Sequence, residues 1–375
     1  MTTNNRNSFR RQYFPDASAK DWNDWRWQLR HRLRDLEGLE RIFSLTTSER
    51  NAVRRRQHNL PVGFTPYYAS LLSRDNADDP LRRTMIPVED EFTLSPGEQA
   101  DPLGEDQHSP VPGLVHTYPD KVLFLVTDFC ATYCRYCTRS RMVGAGHFLP
   151  DRRVWEHALA YIREHTQIRD VLLSGGDPLI LSDDRLNWLL ERLKAIPHVE
   201  FLRIGTKIPA VLPQRITRDL TRMLKRYHPL YMSLHFTHPD ELTDEAQKAC
   251  TRLADAGIPL GSQTVLLKGV NDDPDTMKKL MLGLLTFRVK PYYLHQCDAV
   301  SGSGHFRAPI EQGKTIIRAL HGHTTGYAVP TYMLDAPGGG GKVPLTPDYL
   351  EARDGDFVQA VNYRGDAYRY YDPPT

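Results

Sequence analysis

The residues best suited to chemistry are crowded into Cys130-Ala-Thr-Tyr-Cys134-Arg-Tyr-Cys137, which holds three of the five cysteines in this chain. Thiols at C-x3-C-x2-C spacing have three readings. Cysteines buried for structural reasons can fall together by chance, but the scarcity of cysteine elsewhere argues against that. They can be three ligands of a tetrahedral zinc, yet a closed zinc site usually uses paired C-x2-C half-sites, and the second half-site is missing. They can also hold three irons of a [4Fe–4S] cluster, a group that normally takes four thiolates. The fourth iron is then open to a reactant, and this reading fits the spacing best.

A second reactive element lies far along the chain, in TTGYAVPTYMLDAPGGGGKVPLTP (324–347). Four glycines alone would read as a flexible loop. A lysine directly after them, Lys342, is a mobile amine able to form an imine with a carbonyl cofactor such as pyridoxal phosphate (PLP). The glycines would let backbone approach that cofactor and let the lysine swing away.

These residues need a scaffold, and its rhythm is visible. Six β-rich runs occur at 121–128, 169–175, 199–207, 230–236, 259–267 and 290–296, separated by segments with helical apolar spacing such as SDDRLNWLLERLKAI. Strands alternating with helices predict parallel βαβ units. Six strands are fewer than the eight of a closed barrel. Polar residues recur at the C-terminal ends of these strands: Asp128 and Cys130, Ser174-Gly175-Gly176-Asp177, Thr206-Lys207, His235, Gln263 and Asp298. In parallel α/β folds that edge binds ligands. Upstream, Trp22, Trp25, Leu29, Leu33 and Leu36 predict one amphipathic helix, and the acidic, turn-rich stretch from about 75 to 120 predicts extended chain lying over the main body. The organisation expected is a helical and extended region over 1–120, a barrel over 121–325 and a C-terminal segment over 326–375.

Composition excludes some partners. A formal charge of +2 gives no reason to expect nucleic acid. No apolar run approaches the roughly 20 residues that span a bilayer, and the N-terminus lacks a signal-peptide core. A cytoplasmic protein is expected, without a disulfide framework.

The cysteine spacing, with SGGD after the second strand, resembles the radical S-adenosylmethionine (SAM) enzymes, which use a partial (βα)6 TIM-like barrel. CATYCRYCTRSR, LLSGGDPL, SLHFTHPDE, TVLLKGVND, QCD, GHFRAPI and LDAPGGGGKVP, in that order, resemble the lysine 2,3-aminomutase family. The resemblance runs from DWNDWRWQLR to about residue 350. It implies a [4Fe–4S] cluster on Cys130, Cys134 and Cys137, SAM chelated by the open iron, and PLP on Lys342. It implies that Ser174, Gly175, Gly176 and Asp177 meet the methionine end of SAM, with His235 and Gln263 near it. Arg139 would pair with the substrate carboxylate, and Asp298 and Asp335 would grip a distal ammonium. Two acids there imply a basic amino acid: lysine, with arginine as the alternative. Lys121 and Thr117 stand where relatives tend to carry arginines near the PLP phosphate, and only Lys121 brings a charge. The implied partners are an external electron donor of flavodoxin or ferredoxin type and a homo-oligomeric assembly. Relatives carry further C-terminal cysteines for a structural metal; none follows Cys297 here, so that metal is not expected. The non-enzymatic alternative is a structural zinc or redox module.

Overall fold

Alternation of β-branched and leucine-rich runs with amphipathic segments produces a nine-stranded sheet in chain order. Its strands are β1 (Leu114–Tyr118), β2 (Lys121–Thr127), β3 (Asp170–Gly175), β4 (Phe201–Thr206), β5 (Leu230–Leu234), β6 (Leu260–Leu266), β7 (Lys290–Gln296), β8 (Thr331–Ala336) and β9 (Gly341–Pro344). The structure, a computed structural model, describes residues 3–55, 60–144, 146 and 150–373. Neighbouring strands from β2 to β8 pair in parallel, while β1 and β9 run antiparallel at the two edges. This is a partial α/β barrel, with the six expected strands as β2 to β7.

The connecting helices explain why the sheet is buried. In Asp183–Lys194, capped by Ser182, residues Leu186, Leu189, Leu190 and Leu193 lie on one buried face at i, i+3, i+4 and i+7. Fully burying such side chains is worth roughly 1.5–3 kcal/mol each. The helices Arg152–Glu164, Asp244–Asp255, Pro274–Thr286 and Ile310–Leu320 follow the same rule. A parallel sheet needs this cover.

Three features differ from the sequence reading. β8 adds a seventh parallel strand, and β9 folds back on it through Pro337–Gly340, so the glycines form a tight turn that sets a register rather than a loose loop. The single N-terminal helix is instead three short ones, Ala19–Trp22, Trp25–Arg30 and Leu36–Glu40. Side chains of Ser18, Asp24 and Asp35 each cap a new start, and Leu33 pairs with Phe64 instead of continuing a helix. The stretch from 75 to 120 is partly helical: Asp79 caps Pro80–Arg83, whose Arg82 is buried against Glu49 at 2.8 Å. Beyond β9, β10 (Leu350–Asp354), β11 (Phe357–Val361) and β12 (Ala367–Tyr371) form a separate antiparallel sheet.

The end of β3 presses on the loop that follows β2. Gly175 has φ of +114°, and a Cβ added there would overlap the Thr127 carbonyl oxygen. A Cβ at Gly176 would overlap that of Phe129, and Asp177 N–H donates to the same oxygen at 3.0 Å. Gly176→Ala should therefore destabilise the protein by about 1–3 kcal/mol, read as a lowered Tm in a thermal melt. Gly326→Ala, where a Cβ meets nothing within 4 Å, should leave the melt nearly unchanged.

Candidate active site

Every residue to which the family resemblance assigns a cofactor or substrate role lines one cavity of about 790 Å³ at the C-terminal ends of the parallel strands, whereas Asp128 lines a different one. Cys130, Cys134, Cys137 and Arg139 come from the loop after β2, and Ser174 to Asp177 from the end of β3 and the turn after it; His235 directly follows β5, and Gln263 lies on β6. Asp298 follows β7, while Asp335 and Lys342 come from β8 and β9. Lys121 enters from the start of β2. The volume lies within the range of about 300–1,000 Å³ usual for ligand sites.

The N-terminal region holds the cysteine loop. Arg32 Nη1 donates to the Cys130 carbonyl at 2.6 Å, Tyr133 N–H to Gly63 O at 2.8 Å and Arg135 N–H to Thr84 O at 2.9 Å. The buried Arg135 guanidinium also pairs with Glu91 and donates to Leu60 O. Leu60, Tyr133 and Val143 pack against Cys130 and Cys137. Burial pushes the three thiols up, Cys137 to about 11. Among the described residues no three His, Cys, Asp or Glu side chains stand close enough to hold a single ion. Thiolates on separate corners of an iron–sulfur cube need no such convergence, and the loop's apolar backing suits that group.

Lys342 lies opposite Asp335 in the antiparallel pair of β8 and β9. Its Nζ donates to both Asp335 oxygens, at 2.6 and 2.8 Å, and its backbone N–H donates to Tyr118 Oη at 2.9 Å. Tyr118 is on β1, so this bond joins the two edges of the sheet beside the lysine. Burial raises Asp335, but the His295 hydrogen bond and the Lys342 charge outweigh it and hold the carboxyl down at about 2. Burial and the neighbouring Asp335 push Asp298 up, against the hydrogen bond that Thr138 Oγ1 donates to it. A primary amine at the cavity wall, with Tyr118 beside it and Lys121 over that tyrosine ring at 4.1 Å, fits PLP.

Arg139 has a partner that sequence reasoning missed. Its Nε donates to both oxygens of buried Glu105 at 3.0 Å, and its Nη2 donates to Oε1 at 2.7 Å. Burial opposes the arginine's charge, and Glu105 more than restores it. Nη1 reaches only Ser174 Oγ, at 3.4 Å. Glu105 is thus on the Nε edge of the fork, which leaves Nη1 for a carboxylate in the cavity. The segment carrying Glu105 is anchored at the β8–β9 turn, where Gly338 N–H donates to Pro102 O at 2.9 Å. The signal that could have found Glu105 was electrostatic: a buried arginine needs a counter-ion, and an acidic segment preceded the first strand.

On the opposite wall Asp177 accepts from Leu179 N–H, Thr206 Oγ1 and Lys207 N–H, and burial pushes its pKa up to about 6. It ties β3 to β4. Burial, then Lys207, His295 and Arg139, push His235 down to about 3, so its imidazole is neutral near pH 7. Gln263 donates to Tyr292 Oη, which also bonds Ser233 Oγ at 3.0 Å. Tyr118, Tyr292 and the pairing of His295 with Asp335 carry no signal in the sequence.

Comparison with known proteins decides the family. Residues 124–281 match the radical SAM superfamily model, and 317–375 match the lysine-2,3-aminomutase model. An L-lysine 2,3-aminomutase of Acetoanaerobium sticklandii is 48% identical over 366 residues, 98% of this chain and 88% of that one. The chain belongs to the lysine 2,3-aminomutase family. The L-lysine 2,3-aminomutase of Fusobacterium nucleatum is also 48% identical, over 97% of this chain and 86% of its own length. A glutamate 2,3-aminomutase of Clostridioides difficile is 41% identical over 96% of this chain and 85% of its own. The cofactors of this radical SAM aminomutase family are a [4Fe–4S] cluster, SAM and PLP.

Borohydride reduction of PLP-loaded protein should fix the cofactor on the peptide containing Lys342, and Lys342→Ala should abolish that adduct while the three cysteines still bind iron. Mass spectrometry of the digest and an iron assay report the two outcomes separately.

Proposed function

We propose that the protein moves the α-amino group of L-lysine to Cβ, giving β-lysine. What carries the reading is the contents of one cavity. Three thiols, an imine-forming lysine, a guanidinium with one free arm and two carboxylates all face the same volume.

In this reading Arg139 Nη1 takes the α-carboxylate, and Glu105 keeps the fork from turning. Asp298 and Asp335 take the ε-ammonium. Bound at its two charged ends, an extended amino acid presents the same Cβ hydrogen at every turnover. Once Lys342 holds PLP, its place on Asp335 is open to the substrate ammonium. When bound, SAM on the cluster supplies hydrogen-atom abstraction, and PLP supplies an electron sink for the migrating nitrogen. Neutral His235 adds no cation to that wall. Arg32 and Arg135 hold the cysteine loop from behind. One electron must come from outside the chain, and a cytoplasmic flavodoxin- or ferredoxin-type donor suits that step. Among the described residues no helix is long and apolar enough to cross a membrane.

The two acids oppose an acidic side chain. Anaerobic incubation of reconstituted protein with SAM, PLP and dithionite should convert lysine to β-lysine, convert arginine and ornithine more slowly and leave glutamate unchanged, as read by chromatography. Turnover of glutamate alone would refute the assignment of Asp298 and Asp335. Glu105→Gln should lower kcat/KM for lysine about 10- to 100-fold, mainly through KM. It should affect lysinamide, which lacks the carboxylate, much less.

A further inference from the structure

The cysteine loop does not stop at its last thiol. Cys137 N–H donates to Cys134 O at 3.1 Å, Ser140 N–H to Cys137 O at 3.0 Å and Met142 N–H to Arg139 O at 2.9 Å, so the chain runs on as successive turns. Thr138 and Arg139 are consecutive there, and both line the cavity. Thr138 Oγ1 donates a hydrogen bond to Asp298 Oδ2, 160 residues along the chain. Among the described residues no other group donates to that carboxylate, and its Oδ1 accepts no hydrogen bond. Asp335 is held differently, by His295 Nδ1 at 3.2 Å and by Lys342 Nζ on both oxygens.

The backbone on each side of the Thr138–Asp298 contact is fixed. Tyr136 packs against an apolar cluster of Leu267, Val270, Cys297 and Phe306, with its ring edge-on to Phe306 at 6.2 Å between centroids. Ala299 O accepts from Gln99 N–H at 2.9 Å, and Asp298 O accepts from Ser303 Oγ at 3.0 Å. What is left to set is the last torsion of the Asp298 side chain, which is broad in aspartate. A threonine hydroxyl has one hydrogen to donate, and a carboxylate has two oxygens that accept. Placing that hydrogen on Oδ2 stops the carboxylate from turning and leaves Oδ1 for a cation. Burial pushes Asp298 toward its neutral form, and the Thr138 bond opposes that push.

We propose that Thr138 is a positioning residue for the far end of the substrate: by holding Asp298 Oδ2 it aims Oδ1 at the terminal ammonium. This rests on the reading of Asp298 and Asp335 as the seat of that ammonium. One turn of chain then serves both ends of the amino acid, with Arg139 on the carboxylate and Thr138 behind the distal acid.

The test uses the full-length protein reconstituted with iron, sulfide, SAM and PLP. Thr138→Val removes the hydroxyl at nearly constant volume, and Thr138→Ser keeps it. Both are compared with wild type, with Asp298→Ala and with the double variant Thr138→Val, Asp298→Ala. Lysine affinity is read without reductant through the change in PLP absorbance, turnover by chromatography of β-lysine, and cluster assembly by iron content. Thr138→Val should bind lysine about 10-fold more weakly, with the loss in kcat/KM mostly in KM and iron content unchanged. Thr138→Ser should stay within about threefold of wild type. In the Asp298→Ala background, Thr138→Val should cost no more than about twofold further, because the carboxylate it orients is gone.

An equal loss from Thr138→Val with and without Asp298 would mean that Thr138 acts elsewhere, and would overturn the proposal. So would unchanged lysine affinity in Thr138→Val, or a loss that Thr138→Ser shares in full. If Thr138→Val fails to take up iron, Thr138→Ala, which removes the same hydroxyl with less bulk beside Cys137, goes through the same cycle. Iron loss there too would make Thr138 a support of the cysteine loop and contradict the proposal. Failure of the underlying reading looks different: wild type would make no β-lysine, or Asp298→Ala would bind lysine as wild type does.

Discussion

The ion pair between Lys342 and Asp335 is the contact around which this site is organised. It exists because β9 folds back on β8 in a register that sets the two residues opposite each other. Both groups are largely removed from water, where an unpaired charge is expensive. The pair therefore fixes where the lysine amine sits. His295 and Asp298 are arranged about the same carboxylate, and Tyr118 fastens the lysine's backbone to the far edge of the sheet. The turn of glycines permits this geometry: Gly338, Gly339 and Gly341 all have positive φ, a conformation that other residues adopt at a cost.

The other half of the site depends on a second close approach. At Gly175 and Gly176 the end of β3 meets backbone from the loop after β2, so the SGGD element has a packing reason for its glycines as well as the cofactor reason implied by the family resemblance. Cysteine spacing alone would not hold the thiols toward the cavity. Arg32, Arg135 and Glu91 do that from the N-terminal region, which makes the short helices upstream of the barrel part of the machinery. Their broken pattern follows from local chemistry, since each acidic or hydroxyl cap ends one helix by starting the next.

Much of the barrel was legible because each strand lies between amphipathic segments whose period differs from its own. All six strands from β2 to β7 emerge close to their expected limits. β8 was hidden because Pro330 and the glycine run made TYMLDA look like loop, and its partner β9 is only four residues long. The residues of the site were legible where their type is unusual: clustered cysteines, a lysine after four glycines, acids at strand ends. Glu105 was not: an acid in an acidic turn-rich segment is ordinary, and its significance comes from Arg139, 34 residues away in the chain.

If the thiols and the lysine amine serve one substrate molecule in one cavity, hydrogen from that substrate passes through SAM and returns, and isotope labelling can follow it. Lysine deuterated at C3 is turned over by the reconstituted protein, and SAM and β-lysine are recovered for mass spectrometry. The account predicts deuterium in the 5′-methylene of SAM, with β-lysine formed at a comparable rate. Formation of β-lysine with no label in SAM, or cleavage of SAM with no label transfer from lysine, would contradict it.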